Sequence, residues 1–144
     1  MNTLFLVILA IIAGIACVIQ GHFMGIMDQR IGTKESVFIT YAGGGILIAI
    51  VMLVVRGGNL SSWPRVPWYA LTAGIMGLII VGTAGYTMPR LGLTKGFSVV
   101  IAAQILGALA IDQFGFFGAA VRPMNFERIF GSLLLVLGTW LILK

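Results

Sequence analysis

Residues 3–27 read TLFLVILAIIAGIACVIQGHFMGIM, with no Asp, Glu, Lys or Arg among them. A bilayer span needs about 20 mostly apolar residues, and this stretch supplies them without interruption. It lacks the basic leader of a secretory signal, and its apolar run is longer than a signal core. It therefore reads as a retained span.

Outward from it, the rule repeats. Residues 36–55, 66–87, 96–111 and 129–143 carry no formal charge. The nine basic and four acidic side chains all fall between these stretches or at the end of the chain. Placing a charge mid-membrane costs about 2.5–3.5 kcal/mol even on the lenient insertion scale. The pattern predicts five crossings, at approximately 3–27, 36–55, 67–88, 93–113 and 126–143. The fourth and fifth reach full length only with flanking residues whose long side chains snorkel to the headgroups. The expected fold is an all-α integral membrane protein, one five-helix domain over 1–144, in contact with the lipid bilayer.

Charged residues are 9% of the chain, against about 25% in soluble domains. The net charge of +5 is spread over the loops, as topology and headgroup charge are, and suggests no nucleic-acid partner. The lone Cys17 excludes an internal disulfide. The single His, single Cys and four carboxylates show no metal-ligand spacing, and no nucleophile or phosphate-loop motif occurs. No cofactor, no metal and no enzymatic activity are expected.

Short connections make successive helices antiparallel. The first is expected over residues 28–35, with Thr33 or Ser36 capping the second helix. Pro67 suits the first turn of the third, and Pro89 with Gly92 ends it. Asn125 suits the start of the fifth, with Glu127 at its positive end. On one side of the membrane lie Arg56, Arg65, Arg122 and Arg128. On the other lie Arg30, Lys34, Arg90, Lys95 and Lys144. Four against five barely specifies orientation. Either a few strong positions decide it, or copies insert both ways and pair head to tail.

Gly14, Cys17, Gly21 and Gly25 follow one face of the first helix, and Gly107 follows Ala103 in the fourth. Small residues let backbones approach where burial of apolar surface supplies no driving force. Gly14, Gly21, Gly25 and Gly107 are thus candidate packing positions. Polar groups inside the spans need partners or water. Gln20, Tyr41, Tyr86 and Gln104 are candidates to line a solute path, with interhelical hydrogen bonding or an interfacial aromatic belt as the plain alternatives. His22 is the chain's single histidine, the residue type whose charge can change near neutral pH, and Asp112 closes the fourth span. Both are candidates for proton or ion coupling, although Asp112 also suits a pair with Arg122 or Arg128.

The run Met88-Pro89-Arg90-Leu91-Gly92, the segment from Ala103-Gln104 through Asp112-Gln113-Phe114-Gly115 to Gly118, and Arg122-Pro123 with the stretch from Arg128 to Gly138 together resemble the YdcZ-type family. These are small bacterial inner-membrane proteins of the drug/metabolite transporter superfamily. The first helix fits through Ala16 and Gln20 and departs at Met24, where the family tends to carry Asn. The resemblance implies a half-size exporter in the bacterial inner membrane, since larger relatives fuse two five-helix halves in opposite orientation. It implies a homodimer or a paralogous heterodimer, with a small-molecule substrate bound near the midplane and moved by alternating access. Four-helix multidrug relatives exchange protons for cations through a Glu in their first helix. This chain has no carboxylate before Asp28, so a neutral, zwitterionic or weakly charged solute is expected. A membrane subunit that stabilises a partner complex without transporting is the alternative.

Overall fold

Lipid offers no partner for a backbone N–H or C=O, so each apolar run must satisfy its own backbone as helix. The computed structural model describes residues 2–55 and 58–144. Arg56, counted above toward topology, lies outside them. Five long helices follow in order: α1 (Thr3–Ile31), α2 (Thr33–Val54), α3 (Ala73–Leu91), α4 (Leu93–Phe114) and α5 (Phe126–Leu143). No strand occurs among the described residues. With the single-turn helix Trp68–Thr72 leading into α3, all five segments are long and apolar enough to cross a membrane. The protein is an all-α, multi-pass membrane protein.

The connections are tighter than the charge pattern implies. The expected loop over residues 28–35 does not exist. α1 continues as helix to Ile31, and one residue, Gly32, separates it from α2. Neither Thr33 nor Ser36 caps α2. Gly32 stands at the cap with φ 98° and makes no side-chain bond. The Gly32 N–H donates to the Asp28 carbonyl at 3.1 Å, and its carbonyl accepts from Ser36 N at 3.1 Å. A side chain at this φ strains the backbone, so the turn requires glycine. Pro89 likewise does not end α3. It sits inside the helix, which runs to Leu91 and stops at Gly92, φ 83°. Pro67 precedes the short helix Trp68–Thr72 and does not open α3 itself.

Arg30-Ile31-Gly32 thus recurs sixty positions later as Arg90-Leu91-Gly92, each a one-glycine junction between helices. The buried register recurs with it: Gly25 with Gly85, Asp28 with Met88, and Ser36 with Gly96.

The chain forms two compact units, Met1–Arg90 and Leu91–Lys144. In the first, the buried residues are Gly21, Met24, Gly25 and Asp28 of α1, Ser36 of α2, and Gly85 and Met88 of α3. All lie within three turns of Gly32 or of Gly92. In the second, α4 and α5 pack side by side. The Thr139 hydroxyl donates to the Ser98 carbonyl at 3.2 Å, and Lys95 Nζ to the Leu143 carbonyl at 3.1 Å. A lysine there complements the negative end of α5. The connection between them is tied to the last turn of α4. Arg122 N donates to the Asp112 carbonyl at 2.8 Å, and Met124 N to Gln113 Oε1 at 2.8 Å. Asn125 caps α5 as its residue type suggests, accepting from Arg128 N at 3.0 Å.

Candidate functional site

The first unit carries an open depression of about 390 Å³ between α1 and α2. Its floor is made by successive turns of α1: Ala16, Ile19, Gln20, Phe23, Met24 and Met27. Thr40 closes it from α2. No ionisable side chain lines it. Gln20 is exposed, and no hydrogen bond to its amide exists among the described residues. Thr40 bridges the two helices by donating toward Met24 Sδ at 2.7 Å and to the Ser36 carbonyl at 2.8 Å. Both of its interactions use the hydroxyl proton, so a lone pair of its oxygen remains to accept from a guest.

About 12 Å beyond Gln20 along α1, at 1.5 Å per residue, stands a feature absent from the expected site. Asp28, its side chain 2% exposed, accepts from Arg90 Nη1 at 2.9 Å. Its other oxygen accepts a short hydrogen bond from the Thr33 hydroxyl. Arg90 also lies 3.6 Å over the Tyr86 ring and donates to the Tyr86 carbonyl one turn back. Beside this pair two glycine contacts seat α3 on α1. A Cβ on Gly25 would stand 3.3 Å from Pro89 Cδ, and one on Gly85 would stand 3.2 Å from Met24 Cε. Met24 and Met88 are each 1% exposed. The family-like run Met88-Pro89-Arg90 is therefore the edge of α3 that docks on α1.

Of the candidate path residues, Gln20 lines the depression. Tyr41 lies outside its lining, its hydroxyl laid across Gly77 of α3 so closely that a Cβ there would collide with it. Tyr86 belongs to the Arg90 cluster. Gln104 is exposed on α4 in the second unit, with no hydrogen bond to its side chain among the described residues. His22 is exposed, its ring 6.2 Å from that of Phe23. Asp112 pairs with Arg128 at 3.6 Å, both partly exposed. Of the candidate packing positions, Gly21 and Gly25 are buried, whereas Gly14 and Gly107 have open space where a Cβ would stand.

Sequence reasoning missed Thr40, Asp28 and Arg90. One signal was available. The small-residue face at Gly14, Cys17, Gly21 and Gly25 advances by three or four residues, and its next step is Asp28.

Five helices among the described residues, each long and apolar enough to cross a membrane, define a multi-pass membrane protein. The family described as "Putative inner membrane exporter, YdcZ" matches residues 5–141, and the chain belongs to it. The chain is 27% identical to the inner membrane protein YdcZ of Escherichia coli strain K12, over all of this chain and 98% of that one. No solved structure matches the chain.

Proposed function

We propose that this inner-membrane protein exports a small, uncharged solute, working as a dimer of half-size units by alternating access. The observation that carries the reading is the depression on α1. Inside a helix that must face hydrocarbon or protein, Gln20 presents an amide without a partner among the described residues, beside an acceptor at Thr40. A bare amide in lipid is costly, and a polar guest or water relieves that cost. The lining holds no counter-ion for a charged solute, and a charge brought there unpaired loses its hydration without compensation. The near-even split of basic loop residues supports assembly from two oppositely inserted copies, as inverted repeats place a site at their interface.

The test compares solutes released by cells that lack the chain, produce it, or produce Gln20→Leu at equal membrane abundance. An uncharged solute should appear outside only with the intact chain. Identical profiles in all three strains remove the export reading, and release that survives Gln20→Leu removes Gln20 from the path.

A further inference from the structure

We propose that the Asp28–Arg90 pair is a latch that holds the last turns of α3 against α1 beside the depression. The proposal rests on the export reading for its purpose but stands on separate observations. The first unit is packed at one end only. Its buried residues cluster near Gly32 and Gly92, while residues 3–20 of α1 are exposed throughout. The depression borders that end, since Met24 both lines it and meets Gly85 of α3.

The contacts there are of a kind that separates cleanly. Gly25 meets the flat ring of Pro89, and Gly85 meets the flexible end of Met24. Met88, the α3 side chain that must leave a covered place, is 1% exposed but unbranched and flexible. The two charges are held unequally. Asp28 is fixed by Thr33 and nearly covered, whereas the Arg90 side chain is 50% exposed. Arg90 also has a resting place on its own helix, the ring and carbonyl of Tyr86. When α3 lifts, the guanidinium keeps those partners and gains water, so the cation is never stranded. A packed contact with two discrete arrangements is what converts a small local change into an opening. Asp28 and Arg90 are thus positioning residues: they act through the helices they join and touch no solute.

The full-length chain with Cys17→Ala, Lys34→Cys and Thr83→Cys, spin-labelled and diluted with unlabelled chain in lipid nanodiscs, reports the α2–α3 separation at this end. The parent should give a dominant short distance. Asp28→Asn should raise the share of a second, longer distance by about tenfold, the response to removing about 1.4 kcal/mol of closed-state bias. The exchange Asp28→Arg with Arg90→Asp should return the parent distribution, which loss of packing alone does not do. A single short distance in a folded Asp28→Asn protein overturns the latch.

If Asp28→Asn does not fold, cross-linking of the otherwise unlabelled chain decides. A Cβ on Gly25 stands 3.6 Å from Pro89 Cβ, and one on Gly85 stands 3.6 Å from Met24 Cβ. Both lie within the range of a disulfide, about 3.5–4.5 Å. With Cys17→Ala, the Gly25→Cys/Pro89→Cys and Met24→Cys/Gly85→Cys chains should each oxidise in two phases, closed copies first and open copies as they close. A single fast phase in all copies of both chains overturns the latch. Neither measurement involves a solute. Gln20-dependent export with no opening therefore removes only the latch, and opening without export removes only the export reading.

Discussion

Asp28 shows how one side chain changes the meaning of its neighbours. A carboxylate buried in this way is tolerable because an arginine and a hydroxyl both donate to it. The two halves of the pair are not equivalent. Arg90→Ala leaves a covered carboxylate with one donor. It should cost about 3 kcal/mol, the low end for breaking a buried pair because the guanidinium is half in solvent. Asp28→Asn leaves an arginine with water and Tyr86, and an amide that still bonds Thr33. It should cost about 1 kcal/mol. Unfolding in denaturing detergent measures both, and equal or reversed costs contradict the asymmetry. Gly77 offers a second residue-scale test. A methyl there meets the Tyr41 hydroxyl, so Gly77→Ala should destabilise by about 1–3 kcal/mol through overpacking. In a Tyr41→Phe background the same change should cost distinctly less. Additive costs in that cycle mean that Tyr41 does not lie over Gly77 in the folded protein.

Helices, and where they stop, follow two different rules. The absence of charge finds all five helical cores, because desolvating a charge in lipid outweighs every local preference. It finds the ends poorly. A charge that is paired by another helix is no longer a boundary, so α1 passes through Asp28 and stops only at Gly32. The partner that makes this possible is 62 residues away, and no local pattern announces it. Gly92 was readable as a turn because glycine has a local reason to be there. Pro89 misled because its effect depends on the helix surface it meets, Gly25. Within the candidate site, Gln20 was readable from its polarity in an apolar run, whereas Thr40 gained its place only from its bond to Met24 across the hairpin. These assignments separate glycines that look alike in sequence. Gly32→Ala forces a side chain into positive φ and against the Glu35 carboxylate, and should cost at least about 1–2 kcal/mol. Gly14→Ala meets nothing within 4 Å in the middle of a helix. It should be neutral, or stabilising by up to about 1 kcal/mol, if lipid rather than a helix covers it. The same unfolding measurement, made on both variants, compares the two positions directly. A large loss at Gly14 instead reveals a second chain packed against that face.

Assembly is where the whole molecule makes its strongest demand. α1 leaves large apolar residues and Gln20 on its surface. Lipid accepts the first and not the second. Two parallel copies of the five spans found among the described residues cannot build the inverted pair that places a shared site at the midplane. Two antiparallel copies can. The loop charges allow both orientations, since Arg65, Arg122 and Arg128 with Arg56 nearly balance the five basic residues of the other side. Reporters fused after Lys144 should therefore give signal on both sides of the membrane. Replacing Arg30 and Lys34 with Gln should drive the C-terminus outward, because that removes two of the five charges from its side, whereas Arg65→Gln with Arg122→Gln should hold it inside. Forcing all copies into either single orientation should abolish Gln20-dependent export, and coexpressing the two forced forms should restore it. Export by one forced form alone establishes that parallel copies, or a single copy, suffice and that the antiparallel assembly is unnecessary.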